Sequence, residues 1–210
     1  MKRSISTVCV LGAVSVLSVV LCLPPTATAA PIQPPQPGIV LTLIGGTFEA
    51  PRMSGYEFRV NDDIAVTHLG VYDHGANGLA VSHEVGLWTL NGQLLASATV
   101  QAGTVETLTS SFRFQAIPLV HLSEGVEYVV ASTTPIGDPI AFSSTYVNPE
   151  EVTWIRARTR EGDSFHFAGG TNVNRGYFGG NFMFVPEPCT IVLMASGMVA
   201  LVRRRAKRRS

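Results

Sequence analysis

Apolar and polar residues alternate with period two along much of the middle of the chain. Leu94, Ala96, Ala98 and Val100 alternate with Leu95, Ser97 and Thr99, and Phe112 and Phe114 with Ser111, Arg113 and Gln115. Val126, Tyr128 and Val130 repeat the pattern more weakly. That spacing sets one row of side chains on one face of a strand and half-buries it. Asn91-Gly92 separates Glu84–Leu90 from Gln93–Gln101. The dipeptide accepts positive φ at both positions of a tight hairpin turn. Gly, Pro, Asn and Asp punctuate the short apolar runs, and no long stretch carries the helical period of about 3.6 residues. The pattern predicts an all-β domain: an antiparallel β-sandwich, with a jelly-roll-like arrangement among those that fit.

The two ends depart from this pattern. Met1-Lys2-Arg3 precedes an apolar run from Ile5 to Leu23, and Ala27-Thr28-Ala29 follows. A positive end, an apolar run and a small-residue site together predict a secretory signal peptide, helical in its apolar part, for signal peptidase to remove. The expected cut follows Ala29 and leaves Ala30 first, because a cut after Ala30 would place Pro31 at the scissile bond. At the other end Val185-Pro186-Glu187-Pro188 leads into an apolar run from Ile191 to Val202. The basic cluster Arg203, Arg204, Arg205, Lys207, Arg208 and Arg209 closes the tail. That second hydrophobic helix is short against the roughly 20 residues of a membrane span. The cations beyond it would stay on the cytoplasmic side. The prolines are expected to keep the motif extended, outside any helix or sheet ladder and open to a protease. The organisation expected is a signal peptide at 1–29, a proline-rich spacer at 30–38, a β-domain at 39–184 and a tail at 185–210.

Charge sharpens this division. The chain has 15 Lys and Arg against 15 Asp and Glu, but residues 30–184 hold 14 acids, 7 Arg and no Lys, a net of −7. An acidic body argues against nucleic acid as a partner, since that binding rests on Lys and Arg facing phosphates. The cysteines, Cys9, Cys22 and Cys189, all lie in the two ends. The body therefore offers no disulfide, thiolate metal site or cysteine nucleophile.

Four groups of residues bear candidate chemistry. Asp73-His74-Gly75-Ala76-Asn77-Gly78 spaces oxygen ligands as calcium requires, with Asp73 and Asn77 in the loop and Glu84 within reach from the next strand. Gly75 stands where a calcium loop usually supplies another oxygen, and a plain turn is the competing reading. His68, His74 and His83 are imidazoles that suit zinc or copper, although no H-x-H or H-E-x-x-H spacing places two on one face. Asp62-Asp63 and Glu150-Glu151 read as loop acids rather than glycosidase carboxylates, which must face each other across a substrate. Trp88, Trp154, Tyr72, Tyr146 and Tyr177 could offer sugar-stacking faces, against core packing as the commoner role of strand aromatics. Trp154 shares strand parity with Arg156, Arg158 and Arg160, which predicts an exposed indole. Gly169–Gly176 lacks the Lys of a phosphate-binding loop and reads as a connection.

The tail resembles the PEP-CTERM sorting signal in order, spacing and position, with Cys189 where Ser or Ala is usual. The resemblance implies recognition by an exosortase, a membrane-embedded cysteine-dependent enzyme, and processing near the Pro-Glu-Pro. It further implies a Gram-negative host that makes exopolysaccharide, a transient stay in the inner membrane and release to the cell surface or matrix. Removable hydrophobic tails of this logic leave the mature protein without a span. A second resemblance runs from Val66–Asp73 through His83–Trp88 and Gly92–Ala96 to Gly125–Val130. These segments are similar to a family of uncharacterised extracellular β-sandwich modules of bacterial surface proteins, sometimes found beside carbohydrate-active domains. Together the two resemblances imply a non-enzymatic, exosortase-processed structural or interaction module. The alternative is a carbohydrate-binding module of the exopolysaccharide layer.

Overall fold

The computed structural model describes residues 33–187, apart from 163 and 173–175. The helices expected at both ends, the cleavage site at Ala27, Ala29 and Ala30, Pro188 and the basic residues Arg203–Arg209 lie outside the described residues. Strands carry the domain. In chain order they are β1 (Gln36–Pro37), β2 (Val40–Leu43), β3 (Gly46–Phe48), β4 (Arg52–Val60), β5 (Ile64–Tyr72), β6 (His83–Thr89), β7 (Leu94–Val100) and β8 (Thr107–Thr109). They continue with β9 (Phe112–Leu122), β10 (Glu127–Thr134), β11 (Ile140–Phe142), β12 (Thr145–Val147), β13 (Val152–Glu161), β14 (Gly170–Asn172), β15 (Tyr177–Phe178) and β16 (Gly180–Pro186). Among the described residues the strands pair antiparallel.

Two large sheets form, β1-β16-β5-β9-β8 and β14-β13-β4-β10-β6-β7, with smaller β15-β11-β3 and β12-β2 sheets beside them. The large sheets share one apolar cluster. Tyr56, Phe58, Val60, Val85, Leu87, Tyr128 and Val130 come from the six-stranded sheet, and Leu69, Val71, Phe112, Phe114, Phe182 and Phe184 from the five-stranded one. Phe58 and Phe182 stack across the interface at 4.5 Å between ring centroids. The fold is therefore all-β and sandwich-like, with the alternating positions of β9 and β10 supplying inward residues as the period-two pattern requires.

The Asn91-Gly92 hairpin joins β6 to β7, but not through a two-residue turn. The Gly92 N–H donates to the Thr89 carbonyl at 3.0 Å and the Thr89 N–H to the Gln93 carbonyl at 2.9 Å. Gly92 has φ 89°, whereas Asn91 is not among the residues with positive φ. This is a three-residue loop in which glycine alone takes the left-handed conformation. The ladder slips between Leu87 and Trp88, and Leu94 at its start is left 45% exposed while Ala96, Ala98 and Val100 pack inward.

Both ends of the domain extend past the expected limits. Gln36 and Pro37, expected as spacer, pair with Phe184 and Met183 of β16. Val185 and Pro186 pair with Ala65 and Ile64 of β5, which corrects the expectation that Pro186 stays out of the ladder. The physical reason is position: Pro186 is the last residue of its strand and Pro37 sits on an edge strand, and a missing N–H costs least at such sites.

Candidate functional site

The turn after β5 is built around Asp73. Its carboxylate accepts the Gly78 N–H at 3.2 and 3.0 Å and the Arg113 Nε–H at 2.7 Å. The side chain is buried, as is that of Arg113, and Arg113 also donates to the Glu106 carbonyl at 3.0 Å. Both carboxylate oxygens are thus engaged in closing the turn and neutralising a buried guanidinium. Asn77 and Glu84 both belong to exposed or half-exposed positions, and Glu84 begins the outward row of β6. Among the described residues no three His, Cys, Asp or Glu side chains gather as metal ligands. The geometry favours the turn over the calcium loop. Millimolar calcium is expected to leave the melting temperature of the protein unmoved, because a ligand that binds only the folded state would raise it. Differential scanning fluorimetry checks this, and a calcium-dependent rise that Asp73→Ala removes would reinstate the metal.

The three histidines separate. His83 is buried, with Nδ1 at 2.7 Å from the Thr133 carbonyl and Nε2 at 2.9 Å from Asp138 Oδ2. Asp138 also accepts the Ala80 and Val81 N–H groups, so the pair fastens the loop before β6 and leaves no ring nitrogen free for a metal. His68 Nδ1 lies 2.8 Å from the Thr67 hydroxyl, and burial lowers its pKa from the usual histidine value, favouring the neutral ring. His74 contacts the Tyr72 hydroxyl at 3.4 Å.

Neither tryptophan stands fully exposed: Trp88 is buried and Trp154 half-buried. Trp154 and Arg156 do not share a face, because β13 slips against β4 between them: Trp154 stands opposite Phe58 and Arg156 opposite Glu57. The bulge inserts one residue and inverts the parity read from the sequence. Trp154 packs on the main core and against Tyr146 at 5.4 Å. Trp88 lies on the outer face of the six-stranded sheet but is only 3% exposed. Phe165 and Phe167 cover it at 5.3 and 6.2 Å, and with Met53, Ala131 and Ala168 they make a second small core.

Beside this second core sits a charged knot that sequence reasoning missed. Glu57 is 1% exposed on the outer face. Arg158 reaches it through Nε at 2.8 Å and Nη2 at 2.6 Å, and Arg156 Nε lies 3.4 Å away. Arg158 Nη1 donates to the Gly169 carbonyl at 3.1 Å, at the end of the covering loop. The arginine row of β13 was visible in the sequence; its partner 101 residues away was not. Tyr177, a stacking candidate in the sequence, sits in a half-buried ring cluster whose other members, Phe48, Phe142 and Arg52 over Phe48 at 4.6 Å, the sequence did not point to. Its rings come from three short strands of one small sheet. Tyr56, whose pKa burial raises well above the usual tyrosine value, stays a donor to Asn181 Oδ1 at 2.7 Å.

The loops carrying Asp62-Asp63 and Glu150-Glu151 are neighbours. Asn61 donates its N–H to the Glu151 carbonyl at 2.8 Å and its amide to the Glu150 carbonyl at 2.7 Å. Asp63 accepts the Glu124 N–H at 2.8 Å, and its own carbonyl accepts the Glu187 N–H at 3.0 Å. Glu151 accepts the Gln36 amide at 3.3 Å, and His121 pairs with Glu187. The first and last described strands therefore leave the domain at one acidic pole.

These features define an all-β antiparallel domain in which buried Asp73, His83 and Arg158 are engaged in holding loops. Residues 49–184 match the model of a family described as a domain of unknown function, DUF4082, and the chain belongs to that family. No curated protein matches the chain.

Proposed function

We propose that the protein is an exported, non-enzymatic surface or extracellular-matrix module, delivered by its signal peptide and sorted by an exosortase acting on its tail. The observation that carries this reading is chain order. The β-domain ends at Pro186, the first residue of the Pro-Glu-Pro, and the apolar and basic segments follow in the sequence with no linker. The engagement of Asp73, His83 and Glu57 in loop-fastening contacts supports a structural body rather than a catalytic one. Both ends leaving at one pole suit a domain tethered to the inner membrane during export and released afterwards. Fractionation with mass spectrometry of cells with and without the processing enzyme tests the reading. Surface protein lacking Ile191–Ser210 is expected only in enzyme-competent cells, and tail-bearing protein should accumulate in the inner membrane when the enzyme is absent. Surface protein that keeps Ile191–Ser210 in competent cells would leave a plain membrane anchor. A carbohydrate-binding role is the second reading, and it rests on the Phe48, Phe142 and Tyr177 rings rather than on Trp88 or Trp154. Retention on exopolysaccharide that Tyr177→Ala abolishes would favour it.

A further inference from the structure

The small β15-β11-β3 sheet carries a shelf of rings with a gap in it. Tyr177 pairs with Phe142, and Phe142 pairs on its other side with Gly46, so the three positions form one cross-strand row on one face. Phe48, two residues beyond Gly46, adds a third ring to that face, 6.0 Å from Phe142 and 5.9 Å from Tyr177. The row ends in open space: a Cβ on Gly46 would meet no atom within 4 Å. The missing side chain leaves a notch in the row beside Phe142 that a larger residue would fill. All three rings are half-buried and keep part of their surface in water.

Over this face stands a cation without an acid. Arg52 places its guanidinium carbon 4.6 Å from the Phe48 ring centroid and 5.7 Å from that of Tyr177. Among the described residues Arg59, Arg113, Arg156 and Arg158 each face a carboxylate, and Arg52 does not. Glu161 stands opposite Arg52 in the β4–β13 ladder, but it is exposed and makes no ion pair with it. Glu49 is taken by the Gly137 N–H. The Arg52 Nε is buried with no hydrogen-bond partner, which leaves the two Nη groups as the edge a ligand can reach. A half-buried guanidinium that no protein acid neutralises is suited to a carboxylate, whose two oxygens match the fork of the Nη groups. The rings beneath keep water off one side of such a pair and so strengthen it.

We propose that this face binds a uronate-bearing polysaccharide, with a sugar ring in the Gly46 notch against the Phe48 and Phe142 rings and its carboxylate on Arg52. The proposal deepens the carbohydrate reading above and rests on it. A pyranose offers a flat face of C–H groups to an aromatic ring, and a uronate adds the one charge that the site lacks. The net of −7 in residues 30–184 repels an acidic polymer over most of the surface. The contact is therefore local, and salt weakens it.

The test is retention of protein, purified from cells expressing the full chain, on immobilised polygalacturonate, on its methyl ester and on polyglutamate. Binding to polygalacturonate that falls at least about tenfold on the methyl ester, and that weakens with added salt, is expected. Equal retention on the methyl ester would overturn the carboxylate contact and leave the carbohydrate reading standing. Retention on neither sugar polymer would overturn both. Polyglutamate held as tightly as polygalacturonate would overturn the sugar. Arg52→Met keeps an unbranched chain over Phe48 without the charge, and it should lose about tenfold in affinity for polygalacturonate. Gly46 is a strand residue without positive φ, so Gly46→Leu removes no contact and should leave the melting temperature within the range of an ordinary surface substitution. It should nevertheless fill the notch and reduce retention at least as much as Arg52→Met. If Arg52→Met fails to fold, Gly46→Leu decides: retention unchanged in that folded variant would refute the site, as would unchanged retention in a folded Arg52→Met.

Discussion

Replacing Phe182 with alanine is expected to destabilise the domain by about 3–5 kcal/mol, the cost of emptying an aromatic site in a packed core. Phe182 has no exposed surface. It stacks on Phe58 at 4.5 Å and lies 6.0 Å from Phe184 and 6.5 Å from Tyr56. The ring belongs to the five-stranded sheet and its main partner to the six-stranded one, so the substitution removes a contact that holds the sheets together. The site collapses poorly, because both walls are backbone-bonded strands. Gly38 lies directly over the ring: a Cβ there would come within 2.5 Å of it. Chain direction at that point thus already accommodates the phenyl group, and the Gly38 N–H is fixed to the Phe182 carbonyl at 2.9 Å. At roughly 2–4 °C per kcal/mol for a chain of this size, the melting temperature should fall by on the order of 10 °C. Urea unfolding followed by circular dichroism measures the loss. Phe182→Leu, which keeps most of the volume, should cost about 1–1.5 kcal/mol. Equal, small losses for both variants would mean that the two sheets do not share this core.

The sequence made the local architecture legible wherever one strand's pattern was enough. Phe112, Phe114, Tyr128 and Val130 are inward residues at the spacing expected of them, and Asn91-Gly92 marks a hairpin. What escaped depended on pairing between distant segments or on breaks in the pleat. Period two assumes an unbroken strand, and the bulge before Arg156 moved Trp154 from the expected outer face to the core. Asp73 and Asn77 have a spacing that suits a cation, but Asp73 meets Arg113, 40 residues on. Pro186 lies within a motif read as free, yet the strand leading into it reaches the sheet first. Trp88 faces outward as its neighbours require, and only Phe165 and Phe167, arriving from a loop far along the chain, bury it.

The loop over Trp88 is held by one carboxylate, and its removal should cost about as much as the loss of Phe182 by a different mechanism. Glu57 accepts two N–H groups of Arg158, and Arg158 in turn holds the Gly169 carbonyl. The side chains of Glu57 and Arg158 are 2% and 11% exposed. Two charges taken so far out of water are tolerable only as a pair, and deleting one leaves the other desolvated and unmatched. Glu57→Ala should therefore destabilise the domain by about 3–5 kcal/mol, the range for breaking a buried ion pair from one side. It should also release the Gly169 end of the loop and let water reach Trp88, shifting the indole emission to the red. Trp154→Phe as the background isolates that signal, since these are the two tryptophans of the chain. Replacing both partners, Glu57→Met with Arg158→Leu, should recover most of the stability, because an apolar pair of similar volume carries no desolvation cost. The Gly169 carbonyl would still lose its donor, so the emission shift should persist in the double variant even as stability returns. If Glu57→Ala instead costs under about 0.5 kcal/mol, as an ordinary surface change does, the knot does not anchor the loop, and the cover over Trp88 rests on its own apolar contacts.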